Sequence, residues 1–263
     1  MLLSFRRKGK DFMRSKLLLA GILFSVCVKA RIGGQYVYQF LNVPASARVA
    51  ALGGTFISVK DNDPNSALQA PSILNSAMDG SITLSAVSYP DKVMFGDAGY
   101  VKDFKKYGTF MANMHYVNYG TFDQTDVFGN SVGTFKSADY ALNFGWGYQL
   151  NQLFSVGAAL KGIYSDYYIY NSFGLATDFS ATMYDSTSQW TVSMVVRNVG
   201  MQVKKYIDGN SEPLPAEAMI GASKRLTHTP LRFNITYRHL EKLDMGYTDP
   251  NDLGDVDPLT GEA

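Results

Sequence analysis

The sequence predicts an all-β protein, an antiparallel transmembrane β-barrel with a small N-terminal plug, on three observations. From Gly80 onward apolar and polar residues alternate with a period of two, the mark of strands with one apolar face. The alternating runs are about nine to eleven residues long, which is enough to cross a bilayer at a tilt. No stretch reaches the roughly 18 consecutive apolar residues of a membrane-spanning helix.

Composition agrees. Charged residues make up 18% of the 263, below the roughly 25% of soluble domains, while aromatics reach 13%, led by 17 Tyr and 16 Phe. Mean hydropathy is only −0.08. A membrane protein without apolar helices must close its strands into a barrel, because only helices and closed barrels satisfy every backbone polar group in hydrocarbon. The net charge of +1 supplies no electrostatic footprint for nucleic acid; the expected surroundings are outer-membrane lipid.

In chain order, residues 1–30 read as a secretory signal peptide. A basic region (Arg6, Arg7, Lys8, Lys10, Arg14, Lys16) precedes an apolar run from Leu17 to Val28 and a plausible cleavage site at Ala30. Met13 is an alternative start. The single cysteine, Cys27, lies in this leader, and Val26 before it argues against lipidation.

Residues 31–79 form the plug-like segment. Within it, Gln35 to Gly54 carries aromatics (Tyr36, Tyr38, Phe40), a turn at Asn42-Val43-Pro44, helix formers from Ala45 to Leu52, and a Gly53-Gly54 stop. Thr55 to Val59 reads as a short strand. Asp61-Asn62-Asp63-Pro64-Asn65 lacks the Gly and terminal Glu of a calcium loop and reads as an Asx turn capping a helix. Arg48, a charge in a mostly apolar plug, is expected to salt-bridge an inward or plug carboxylate.

Residues 80–248 hold nine candidate strands, near 81–89, 93–102, 107–118, 137–148, 153–164, 172–183, 189–197, 216–226 and 230–239. In the clearest, Tyr140, Leu142, Phe144, Trp146 and Tyr148 fall on one face, and Asp139, Asn143, Gly145 and Gly147 on the other. Aromatics near strand ends, such as Tyr89, Tyr100, Tyr107, Tyr116, Tyr148 and Tyr164, suit interfacial girdles. Single-chain bacterial barrels use even strand numbers. The polar stretch 249–263 reads as a loop, so further strands are expected beyond this sequence.

Chemistry is sparse. His115, His228 and His239 lack metal-ligand spacing. His115 beside Asn113 superficially resembles the Ser-His-Asn arrangement of outer-membrane phospholipases, but no residue stands out as a nucleophile or oxyanion stabiliser. No enzymatic activity, metal or cofactor is expected. Lumen-facing charges are assigned to Lys161, Arg197, Arg232 and Arg238, paired with carboxylates such as Asp139 and Asp178, because an unpaired buried charge is costly. The other reading, a pathway for an anionic ligand, uses the same cations.

The run FLNVPASARVAALGG, Phe40 to Gly54 (with Phe40, Leu41, Pro44, Ser46, Arg48, Gly53 and Gly54), is followed by Asp61-Asn62-Asp63-Pro64 and later by Val196-Arg197-Asn198-Val199-Gly200. Over about residues 34–248 the chain resembles the PorV/PorQ family of the type IX secretion system in Bacteroidota, nearest its PorQ branch and related to FadL-like barrels. The first run is fairly specific, whereas the Arg-Asn-Val-Gly run is shared widely among FadL-like barrels. A departure is Leu68-Gln69-Ala70-Pro71-Ser72, where an Asn-Pro pair is expected. The resemblance implies 14 strands in the full-length barrel, C-terminally truncated here, and a non-enzymatic role. Such proteins hold an attachment complex at the outer membrane, with a PorZ-like surface partner and a PorU-like sortase. A FadL-like channel for hydrophobic compounds is the alternative.

Overall fold

A computed structural model describes residues 36–207, 209 and 211–241. The expected signal peptide and the polar stretch 249–263 lie outside the described residues. All nine anticipated strands are present: β1 (Ile82–Ser88), β2 (Met94–Asp103), β3 (Thr109–Thr125), β4 (Ser131–Gln149), β5 (Phe154–Tyr167), β6 (Tyr170–Asp185), β7 (Trp190–Lys204), β8 (Glu217–Arg225) and β9 (Arg232–Tyr237). Each pairs antiparallel with the next in one sheet of order β1 to β9. The sheet is not closed: β1 and β9 each have one hydrogen-bonded neighbour. Among the described residues no helix is long and apolar enough to cross a membrane.

The period of two translates directly into burial. Along β3, Thr109, Met111, Asn113, His115 and Val117 are buried, while Phe110, Ala112 and Met114 are exposed. One face of the sheet is therefore covered and the other open. The open face is the greasy one: Leu142, Phe144, Leu160, Phe179 and Met194 all lie on it, each more than two-fifths exposed.

Aromatic rows bound this apolar band. Tyr116, Tyr140, Tyr164 and Phe173 are direct cross-strand partners from β3 to β6, with Tyr116 and Tyr140 rings 4.9 Å apart. Towards the other end Phe110 pairs with Trp146, and Trp146 stacks on Tyr148 at 5.9 Å. Along β4 the two rows are about 26 Å apart, at ~3.3 Å per residue from Tyr140 to Tyr148.

Strands β3 to β7 exceed the expected nine to eleven residues, with 17 in β3 and 19 in β4, whereas β1 and β9 have only 7 and 6. In β3 and β4 the extra length lies beyond a β-bulge at Asn118/Thr121, past which the alternation in burial stops. The β3–β4 hairpin there runs beyond the covered face. Its tip carries Val127 and Phe128, 93% and 87% exposed, on a turn in which the Asp126 side chain accepts from the Phe128 and Asn130 amides.

The N-terminal segment covers the other face. A 3₁₀ turn (Gln39–Asn42) leads to helix α1 (Ala47–Ala51), capped by Ser46, whose hydroxyl accepts from the Val49 amide. Gly53 and Gly54 end it at φ of +92° and +77°, a backbone region open to glycine at little cost. Helix α2 (Pro64–Ala67) starts on Asp63, whose carboxylate accepts from the Asn65 amide, with Pro64 in its first turn; this is the expected Asx turn. Thr55 to Val59 does not form a strand. It is buried and hydrogen-bonds with side chains instead: the Phe56 amide donates to Gln69, and the Ser58 carbonyl accepts from Ser223. Ile57, Ile73, Leu74 and Met78 pack on Val101, Met111, Val195 and Met219 of the sheet.

Candidate functional site

The candidate site is the polar belt on the covered face, where the inward positions of β2 to β8 meet the N-terminal segment. Lys161 on β5 is buried and forms an ion pair with Asp178 on β6 at 2.6 Å. Its ammonium also donates to Asn198 Oδ1 at 2.8 Å. The Arg197 guanidinium donates twice to Glu217 Oε2, at 3.1 and 2.7 Å, and Arg238 donates to the Oε1 atom of the same carboxylate at 2.7 Å.

The Val196 to Gly200 run gains a physical explanation here. The β6–β7 register jumps from Thr177↔Val199 to Phe179↔Val196, so Arg197 and Asn198 both oppose Asp178 in a β-bulge. Both side chains turn inward and are buried. Asn198 takes φ of +57°, tolerable for asparagine. Its amide donates to Asp178 Oδ1 at 2.8 Å, and its side chain donates to the Pro215 carbonyl at 3.2 Å and to Asn42 at 3.4 Å. Gly200 leaves room for the Leu175 carbonyl, which a Cβ would approach to 2.0 Å. The run thus holds β6, β7, the β8 approach and the N-terminal segment together.

Two expected pairings are corrected. Asp139 is buried but binds hydroxyls instead of a lumen cation: Tyr119 donates at 2.6 Å, Tyr167 at 2.7 Å, and Ser165 also donates. The register places Ser165 directly opposite Asp139, with Lys161 two inward positions further down β5. Arg232 has the inward parity but is exposed, opposite Arg225 in the β8–β9 register. Glu217, the partner of both Arg197 and Arg238, was not anticipated; its signal was its place in the inward series with Met219, Gly221 and Ser223. Tyr167→Phe should lower stability by about 1.5–3 kcal/mol, the range for hydrogen bonds to charged groups, read as a lower urea midpoint in detergent.

Arg48 bridges Asp61 and Asp63, each at 2.5 Å, and so ties α1 to the turn before α2. The Asp61 hydrogen bond is the main influence raising the guanidinium pKa above its ordinary value. The side chain is 45% exposed, so Arg48→Ala is expected to cost about 1 kcal/mol or less, with the loss shrinking in high salt. Phe40 is buried and stacks on the His115 ring at 6.0 Å. Leu41 packs beside it, and Pro44 touches the space next to Gly54.

A further hydrogen-bonded chain crosses β2 to β4. Asn113 Nδ2 donates to Asp97 Oδ1 at 2.6 Å, Asn143 Nδ2 donates to Asn113 Oδ1 at 3.0 Å, and His115 Nδ1 lies 3.2 Å from Asp97 Oδ2. Among the described residues no group of three or more His, Cys, Asp or Glu side chains is placed to hold a metal.

No protein-family model and no curated protein matches the chain.

What this arrangement can do chemically follows from its pairings. Lys161, Arg197 and Arg238 are each bound to a carboxylate, and the covered face is packed against Tyr38, Phe40, Ile57 and Pro71. It is built to hold a segment in place.

Proposed function

We propose that the chain is an outer-membrane β-barrel scaffold of the type IX secretion attachment complex, with a non-enzymatic role: it anchors a PorZ-like cell-surface partner. The observation that carries the reading is the division of the sheet into two faces. An apolar band that runs ~26 Å along the strands, ~18 Å in height at a ~45° tilt, lies between aromatic rows, the pattern that outer-membrane barrels present to lipid. The opposite face is filled by the N-terminal plug, and its buried cations Lys161 and Arg197 are each paired with a carboxylate.

That filling favours an anchor over a FadL-like channel, which needs a path along the face the plug occupies. The unpaired edges of β1 and β9 are joined, in this reading, by further strands, 14 in all, because an open edge cannot persist in hydrocarbon. A 19-residue strand extends ~60 Å and, tilted by ~45°, spans ~45 Å. The β3–β4 hairpin would then stand clear of the ~30 Å hydrocarbon core and present Val127 and Phe128 to a surface protein.

Mild-detergent purification of the intact protein from outer membranes tests this. Large surface proteins should co-purify, and deletion of the gene should release secreted cargo from the cell surface. Cargo attachment that survives deletion would refute the scaffold role.

A further inference from the structure

Within the covered face, a cavity of about 50 Å³ lies between the N-terminal segment and the polar belt. Leu41, Asn42, Val43 and Ala45 roof it; Asp97, His115, Asn143, Lys161 and Arg197 lie among the groups lining its other walls. In two of these lining residues a buried side-chain atom, His115 Nε2 and Asn143 Oδ1, meets no hydrogen-bond partner among the described residues. His115 is only 6% exposed, and leaving such a group unsatisfied costs about 1–3 kcal/mol.

The polarity of Asn143 Oδ1 is fixed from one end of the chain. Asp97, as a carboxylate, only accepts. It therefore requires the nitrogen of the Asn113 amide to face it, at 2.6 Å, and the Ala98 carbonyl at 3.2 Å makes the same demand on that nitrogen. Asn113 Oδ1 must then accept, which turns the Asn143 nitrogen towards it at 3.0 Å and leaves Asn143 Oδ1 facing the cavity as an acceptor. The same carboxylate faces His115 Nδ1 across 3.2 Å, which leaves Nε2 to accept in the neutral ring or to donate in the imidazolium. Water, which donates and accepts, can meet either atom.

The cations on the lining do not reach these two atoms: Lys161 bonds Asp178 and Asn198, and Arg197 bonds Glu217.

From this we infer a buried water site: the cavity holds a small cluster of water molecules that hydrogen-bond to His115 Nε2 and Asn143 Oδ1 and hydrate the seam beneath Leu41–Ala45. A water needs about 10–15 Å³ of such volume and two or more polar partners, so the space admits a few. The plug is then seated on this belt partly through water. The inference concerns the covered face alone and stands whatever the protein anchors.

The test uses the full chain purified from membranes. A crystal structure that resolves solvent should show ordered density within hydrogen-bond distance, about 2.7–3.2 Å, of both atoms. Pressurised xenon should leave the cavity empty of noble gas, because xenon enters dry apolar cavities. A xenon peak there would overturn the inference. So would a protein group, such as the Gln69 or Asn42 amide, turned onto either atom. An anomalous peak from rubidium or thallium at the site would replace water with a monovalent cation and equally overturn it.

Discussion

Glu217→Ala should be the most damaging single side-chain truncation on the covered face, lowering stability by about 3–5 kcal/mol, the cost of removing one partner from a buried ion pair. Glu217 is 3% exposed and, among the described residues, is the sole carboxylate bonded to Arg197, itself 5% exposed. Its loss strands the Arg197 charge under the N-terminal segment and frees Arg238 at the β9 edge. The check is a urea or thermal unfolding midpoint in detergent, run beside Arg197→Met and the double variant. Coupling within one network makes the effects non-additive, so the double variant should recover most of the loss, since a buried pair replaced by apolar groups is close to neutral. A Glu217→Ala protein as stable as the parent would show that water reaches Arg197.

How much of this was legible beforehand depended on whether a feature was local or needed register. The nine strands were visible because alternation is written in consecutive residues, and Tyr140 to Tyr148 shows it without any partner. The α1 and α2 caps were visible too, since Ser46, Asp63 and Pro64 act on amides two or three positions away. Arg48 had its partners within fifteen residues.

Pairings across the sheet were less accessible. Lys161 and Asp178 stand out in the sequence as a charge pair, but alternation alone gives Asp139 a cation where the β4–β5 register delivers Ser165. Asp97 and Glu217 do not stand out, because each is a lone carboxylate whose role exists only through β3 and β7. Thr55 to Val59 has strand composition, yet side chains of Gln69 and Ser223 take up its backbone groups, and propensity does not distinguish a ladder from side-chain capping. The β6–β7 bulge was the hardest to foresee. Arg197 and Asn198 break the period of two, so the inward side of Asn198 runs against the very signal that identified β7.

Gly157→Ala is the second substitution with a large expected effect, and it separates docking of the N-terminal segment from stability of the sheet. A Cβ at Gly157 would lie 2.3 Å from both the Pro71 carbonyl carbon and the Ser72 nitrogen. These are backbone atoms, so no rotamer relieves the clash. Ser72 is also fixed there: its amide donates to Ser180 at 2.8 Å, and its hydroxyl pairs with Thr182 at 2.7 Å. The segment must therefore lift, giving up these bonds and the packing of Ile73 and Leu74. Overpacking of this kind costs about 1–3 kcal/mol. Gly162, on the same strand, has no neighbour within 4 Å of its Cβ position; Gly162→Ala should be neutral or stabilising by up to about 1 kcal/mol, because glycine weakens a strand interior. Limited proteolysis should cut the Gly157→Ala protein near residues 70–75 while the strands stay protected, and leave Gly162→Ala as resistant as the parent. Equal resistance of all three proteins would mean that β5 yields instead of the segment, and that the close approach at Pro71 does not hold the N-terminal segment down.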